Sequence, residues 1–384
     1  MKRALVHEWF DTYGGSEKVV ESFLTVWDDF DVFSLVDNFD DALRQQILKG
    51  KKPVTSFIQR LPFSKTRFRY YLPFYPFAIE QLNLTPYDIV LSNSHSVAKG
   101  VLTRESQLHI CYCHSPMRYA WDLYHQYMYQ DNFERGIRGY VIKRALHNLR
   151  TWDVISTARV DYFLCNSLYT ARRIKKTYGR EADVLYPPVE VDKFSVQSQK
   201  EEYYFAVSRL VPYKRIDLIV SAFNAMPDKK LVVAGSGPDL DKIKAIAGKN
   251  VEILGYIPQD QLLKYMQGAK AFVFAALEDF GIVNVEAMAC GTPVIALDHG
   301  GSAESVIDGV TGVHFSEQTE VSMIDAVKRF EAKQGLFDPE VIRRHAELFS
   351  RTSFEQKIKK YIDEKAEDFF NRKKNRSQSE ARII

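Results

Sequence analysis

The chain has 384 residues, 46% hydrophobic and 26% charged, with a formal net charge of +3. That length gives two or three domains with substantial cores. The near-balanced charge, with no RNA-binding motif, argues against a nucleic-acid-binding module. Four cysteines occur, Cys111, Cys113, Cys165 and Cys290, three of them inside apolar runs. They read as small buried hydrophobes in a reducing compartment, since the C-x-C is too short for a zinc knuckle and has no second pair nearby. No apolar signal-peptide core follows the basic start Met1-Lys2-Arg3. The longest apolar run, 271–277, is far short of the roughly 18 to 20 residues that a membrane span needs. The expectation is a cytoplasmic protein able to touch a membrane from that side.

In chain order, short apolar runs at 4–6, 32–35, 89–91, 108–113 and 162–165 read as strands, with helical periodicity at 16–26 and 168–178. Near Tyr186-Pro187-Pro188 the pattern stops, and the polar stretch 192–202 reads as a linker. The rhythm then repeats. Strands are predicted at 204–207, 231–234, 251–254, 271–275 and 294–296, and helices at 216–225, 240–247, 260–267 and 283–289. Such alternation predicts an α/β protein with two doubly wound parallel sheets. The domains are expected at 1–188 and 189–352. A helix at 353–370 is expected to pack back on the first domain, followed by a basic, disordered tail at 371–384. Ligands of such sheets bind beyond the carboxyl ends of the strands, which predicts an active site where the two domains face each other.

Three segments carry chemistry. The first is Tyr13-Gly14-Gly15-Ser16-Glu17, directly after the first strand. Its glycines allow close backbone approach, and the helix start beside them can hold an anion. Glu17 suits a capping box equally well. The third glycine of a G-x-G-x-x-G site is missing, which argues against a Rossmann dehydrogenase. The second segment is Ser208-Arg209-Leu210-Val211-Pro212-Tyr213-Lys214-Arg215, in the loop after the first strand of the second domain. Cations at a strand's carboxyl end suit a diphosphate, Arg as a bidentate fork and Lys as a point charge. A solvated basic loop is the plain alternative. The third segment is Glu278-Asp279-Phe280-Gly281-Ile282-Val283-Asn284-Val285-Glu286, with two glutamates flanking a glycine at a helix start. There backbone N–H groups can meet phosphate, and Glu286 lies about one turn into the helix.

These segments resemble family 4 of the retaining GT-B glycosyltransferases. Gly14-Gly15 with Glu17, the Arg209…Lys214 spacing and the Glu278-x7-Glu286 segment carry the resemblance. The segment Cys113-His114-Ser115-Pro116-Met117-Arg118-Tyr119 is similar to a bacterial branch that builds surface polysaccharides, including mannosyltransferases that use GDP-mannose. The resemblance implies the GT-B fold and transfer of a hexosyl unit, mannosyl from GDP-mannose preferred, onto a carbohydrate acceptor that is lipid-linked. It places His114 at the transferred sugar. Gly14 and Gly15 would lie under the donor diphosphate or beside the acceptor. Arg209 and Lys214 would bind the diphosphate and stabilise the leaving group. Glu278 would meet a sugar hydroxyl, Gly281, Ile282 and Val283 the phosphate, Glu286 the ribose and Tyr256 the nucleobase. One departure is visible: Arg215 stands where many members have glycine, either for phosphate contact or to pair with Asp217.

No metal and no bound cofactor is expected, the nucleotide sugar being a substrate. Asp29-Phe30-Asp31 has the D-x-D form of a metal motif but falls at the wrong end of its strand. A UDP-sugar-dependent transferase (glucosyl, galactosyl or N-acetylhexosaminyl) is the alternative donor reading, and a GT-B sugar-nucleotide epimerase the alternative reaction. Finally, 42–79 holds eight cations and eight aromatic residues and no acid. That mix predicts contact with an anionic membrane surface, on the inner face of the cell membrane.

Overall fold

The computed structural model of the protein describes residues 1–130 and 135–380. It divides into two compact units, Met1–Tyr186 with the chain from Phe354 onward, and Pro187–Ser353.

The first unit is built on a parallel seven-stranded sheet. Its strands are β1 (Arg3–Phe10), β2 (Phe30–Asp37), β3 (Val54–Thr55), β4 (Ile89–Ser94), β5 (Leu108–Cys113), β6 (Tyr162–Cys165) and β7 (Asp183–Val184), in the order β3-β2-β1-β4-β5-β6-β7. Alternate residues serve opposite faces, as the strand period of two requires. Leu5, Val32, Leu91 and Ile110 pack with the helix Gly15–Val26, while Ala4, Val6, Phe33 and Val90 pack on the other side with Leu146 and Leu149 of the helix Gly136–Ser156. Both faces are covered, so the amino-terminal halves of the central strands β1 and β4 are apolar, at 4–6 and 89–91.

The helix Arg351–Glu380 returns to this unit. Phe354, Ile358, Ile362 and Ala366, each one turn after the last, enter the same core as Val19 and Phe23. Burial of each large apolar side chain stabilises that docking by about 2 kcal/mol. The helix continues through 371–380 rather than ending in a disordered tail at 371, and 381–384 lie outside the described residues. Its later turns are rich in residues of good helix propensity, which extends a helix already nucleated by packing.

The second unit has six parallel strands, β8 (Tyr203–Val207), β9 (Lys230–Ala234), β10 (Val251–Gly255), β11 (Ala271–Phe274), β12 (Val294–Leu297) and β13 (Gly312–Phe315), ordered β10-β9-β8-β11-β12-β13. In both sheets the order reverses beside the first strand, between β1 and β4 and between β8 and β11. A doubly wound sheet binds its ligand at such a switch point, beyond the strands' carboxyl ends. All four cysteines are buried and free.

Candidate functional site

At the switch point of the second unit, β8 ends at Val207 and β11 at Phe274. The loop after β8 is held by Leu210, which is buried and donates its N–H to the Ser236 carbonyl at 2.9 Å. Gly235 and Gly237 permit this approach: a Cβ on the first would lie 1.9 Å from the Ser208 carbonyl oxygen, and on the second 2.2 Å from that of Leu210. The loop then makes a short 3-10 turn, Pro212–Lys214, that Pro212 pre-sets. Arg209 is exposed. Lys214 is half-buried, pairs with the Glu278 carboxylate and lies over the Tyr213 and Phe274 rings at 5.4 and 5.8 Å. Arg215 has a positive φ of 54° and sits 3.4 Å from the Asp217 carboxylate. The left-handed backbone explains why glycine suits this position, and the pairing gives the arginine its partner.

After β11 the chain turns through Glu278 to Gly281, whose φ of 81° begins the helix Ile282–Ala289. Gly300 and Gly301 pack directly under this turn. A Cβ on Gly301 would be 2.1 Å from the Phe280 Cα, and the Gly301 N–H donates to the Glu278 carbonyl at 2.9 Å. The N–H groups of Ile282 and Val283 lie in the first turn, where a helix leaves its donors unpaired. Glu286 follows one turn later, half-buried. Tyr256, just past β10, is 78% exposed. Thus Lys214 and Glu278 meet, with Arg209 on the same loop and Gly281 on the same turn.

The first unit carries a different arrangement at its own switch point. His7 and Asn93 are register partners on β1 and β4. His7 Nε2 lies 3.1 Å from Glu17 Oε1, and Glu17 Oε2 accepts the Gly14 N–H at 2.9 Å. Glu17 therefore both caps the helix and holds the Gly14–Gly15 turn. Burial alone would raise the Glu17 pKa, but the hydrogen bond and charge of His7 bring it down to about 2. Burial works against a charged His7, yet Glu17 and Glu8 outweigh it, and its pKa moves upward. Glu8 is fully buried. Its Oε1 accepts from Ser94 Oγ and from the N–H groups of His95, Ser96 and Ala98 at 2.8–3.1 Å, and its Oε2 lies 3.3 Å from His95 Nδ1. His114, just past β5, is 2.8 Å through Nε2 from Asn93 Oδ1. Burial, then the charges of His95 and His7, press its pKa down to about 3, so the ring is neutral near pH 7.

Sequence reasoning had Gly14, Gly15 and His114 here and missed Glu8 and Asn93, besides Gly235 and Gly237 in the second unit. A signal existed for the first pair. A central parallel strand is expected to be apolar throughout, and His7-Glu8 interrupts one. Asp29 and Asp31 lie at the amino end of β2, away from that unit's own switch point, where Asp29 pairs with Arg3 and Asp31 accepts from the Tyr87 hydroxyl at 2.8 Å. Among the described residues no group of three or more His, Cys, Asp or Glu side chains is placed to hold a metal ion.

Of the basic stretch, Phe63, Tyr70, Phe74 and Phe77 are 54–75% exposed, and Lys52, Arg60, Lys65 and Arg67 are exposed as well. Other members are engaged within the unit: Phe68 and Tyr75 are core, Arg44 pairs with Asp37 and Asp41, and Arg69, though exposed, pairs with Asp11. No helix among the described residues is long and apolar enough to cross a membrane.

Two doubly wound units, with a cationic loop and a glycine-started helix at the switch point of the second, define a GT-B protein. Residues 13–193 match the model of Glycosyltransferase Family 4 and residues 189–347 that of Glycosyl transferases group 1. The chain belongs to the family 4 glycosyltransferases. A GDP-mannose-dependent alpha-(1-6)-phosphatidylinositol monomannoside mannosyltransferase of Mycolicibacterium smegmatis is 31% identical over 201 residues, 42% of this chain and 53% of that protein. A D-inositol 3-phosphate glycosyltransferase of Mycobacterium sp. (strain JLS) is 34% identical over 152 residues, 34% of this chain and 35% of that one. The chain thus spans about half the length, or less, of these curated relatives. In fold it is similar to HepE of Anabaena, solved in complex with UDP, at a TM-score of 0.65 and 17% identity over 95% of this chain and 100% of that one.

Proposed function

We propose that this protein transfers a hexosyl unit from a nucleoside-diphosphate sugar, GDP-mannose preferred, to a lipid-linked carbohydrate acceptor in surface polysaccharide synthesis, with retention at the anomeric carbon and without a metal ion. The observation that carries this reading is the Lys214–Glu278 pair at the second switch point, flanked by Arg209 and by the start of the helix Ile282–Ala289. Cations and backbone donors meet there where a diphosphate can bind. The pair is the resting arrangement. An entering diphosphate takes over the Lys214 ammonium and releases the Glu278 carboxylate to accept from a sugar hydroxyl. Arg209 and Lys214 then face the charge that grows on the departing diphosphate, which is where fixed cations act most strongly. Glu286 serves the ribose and Tyr256 the base. The printed name of the Mycolicibacterium relative supports GDP-mannose and a lipid-borne acceptor, and UDP-sugars are the second donor class. The test is proton NMR of the transfer product formed from GDP-mannose after exhaustive chelation. The reading predicts an α-configured product at an undiminished rate. An inverted product, or a rate restored only by added magnesium or manganese, contradicts it.

For the acceptor side, the exposed cations and rings of 42–79 support docking to an anionic bilayer, from which a lipid-linked acceptor is delivered. Each cation near such a surface contributes about 1 kcal/mol, screened by salt. In vesicle sedimentation the protein is expected to pellet with anionic vesicles at low salt and to ignore neutral ones. Changing Lys51, Lys52, Lys65 and Arg67 to Ser abolishes pelleting while sparing transfer to a short soluble acceptor. A variant that pellets like wild type removes this stretch as the membrane contact.

A further inference from the structure

The first unit's polar network is centred on one buried amide, Asn93. Asn93 lies at the carboxyl end of β4, fully buried, and touches both histidines that flank it. Its orientation follows from a partner that has no choice. Asn93 Nδ2 lies 3.0 Å from the backbone carbonyl of Ser16, and a carbonyl only accepts, so the amide nitrogen must face it. The amide oxygen therefore faces His114 Nε2 at 2.8 Å. An amide oxygen only accepts as well, so His114 Nε2 carries the hydrogen. In a neutral imidazole that leaves Nδ1 as the lone-pair nitrogen.

The same amide is fixed from its other side. His7 Nδ1 lies 3.1 Å from Asn93 Nδ2 and 3.1 Å from the Asn93 carbonyl, and His7 Nε2 is anchored on Glu17. Glu17 in turn holds the Gly14 N–H, and Ser16 lies in the first turn of the helix beside it. Glycine turn, carboxylate, imidazole, amide and second imidazole form one closed hydrogen-bonded path. Every member sits on or beside the ends of β1, β4 and β5. Such outer partners fix the tautomer and ring orientation of a functional histidine.

We propose that Asn93 is a positioning residue that locks His114 as the Nε2–H tautomer and, through His7 and Glu17, ties its orientation to the Gly14–Gly15 turn. The effect on catalysis rests on the reading above that His114 meets the transferred sugar, whereas the tautomer itself does not depend on it. The charged groups facing His114 in this network are His7, His95, Glu8 and Glu17.

The experiment is nitrogen-15 NMR of the histidine-labelled full chain at pH 7, with His114 assigned through a His114→Gln variant. The wild type should show His114 neutral with the hydrogen on Nε2. Asn93→Ala should move it toward the Nδ1–H form, and Asn93→Ser, which stays polar but falls short of His114, should do the same if the alanine variant folds poorly. In turnover, Asn93→Ser should lose about 10- to 100-fold in kcat, the scale seen when an outer-shell partner is removed, with donor KM nearly unchanged. A wild-type His114 that is charged or carries its hydrogen on Nδ1 overturns the lock, and so does a variant with an unaltered tautomer. A shifted tautomer with full kcat overturns the positioning role. If no nucleotide sugar is turned over, the transferase reading fails while the tautomer result still decides the lock.

Discussion

The two switch points share a strand order and differ in nearly everything else. Between β8 and β11 the functional groups sit on loops, Arg209 in the open and Lys214 half-buried against one carboxylate. Between β1 and β4 they sit on the strands themselves, His7, Glu8 and Asn93 all at 0% exposure. A loop can keep charges solvated until a ligand arrives, so cations there remain available for an anion. A strand buried on both faces cannot, and polar groups survive in it only when each is met by another. The second region is therefore suited to binding charge, and the first to holding an imidazole still.

The largest effect that can break this contrast is in the second unit. Arg209→Ala and Lys214→Ala should each lower turnover by about 10²- to 10³-fold, the loss of one preorganised partner of developing charge. The melting temperature should stay near wild type for Arg209→Ala, whose side chain is exposed, and fall modestly for Lys214→Ala, which loses its Glu278 partner and its contact with the Phe274 ring. Steady-state kinetics beside calorimetry checks both parts, and near-normal turnover in both variants would mean the loop is not the diphosphate site.

Acid is the next lever, and it acts on the first unit. His109, buried on β5 between Ser92 Oγ and the Arg159 carbonyl, each at 2.9 Å, has its pKa pushed down by burial to about 4 from 6.5. The unfolded chain takes up a proton below pH 6.5 and the folded one does not until about pH 4. His109 thus contributes stability that is whole above pH 6.5 and lost as the pH falls toward 4, up to about 3 kcal/mol by the size of the shift. Glu17 adds a similar loss between pH 4.5 and about 2. Urea titrations from pH 7 to pH 4 should show falling stability, with a shallower slope in His109→Gln. An equal slope would remove His109 as the cause.

The smallest expected effect concerns Arg215. Its positive φ costs roughly 1 to 2 kcal/mol for a side-chain-bearing residue. Arg215→Gly relieves that strain, loses the Asp217 contact and loosens the unfolded chain. The net change in stability should stay within about 1 kcal/mol, with activity retained. A larger loss would show the Asp217 pair to be structural.

The same contrast explains what could be read from the sequence. The second unit's candidate site was legible because its residues stand together in two short segments, each with chemistry visible in its composition. Its supporting glycines were not, since Gly235 and Gly237 act by letting a distant carbonyl approach, and that requires the coordinates. In the first unit the glycine turn was legible from its own residues, and His114 came only from the resemblance. Glu8 and Asn93 were missed because the groups they hydrogen-bond lie 21 to 90 residues away in the chain. The main strands followed from apolar runs. The two-residue strands β3 and β7 and the edge strand β13 did not, being too short or too mixed for a period of two to show. The last turns of the helix Arg351–Glu380 were read as tail because polar composition alone says nothing about a helix already started by Phe354 and Ile358.

The proposed transfer requires that this chain bind and cleave a nucleoside-diphosphate sugar. A hydrolysis screen over a panel of GDP- and UDP-sugars, without acceptor, measures it most directly. Slow release of nucleoside diphosphate from one donor, GDP-mannose first among them, is expected, with the unreacted donor otherwise unchanged. Release from none of the panel, or conversion of a donor into its epimer, would contradict it.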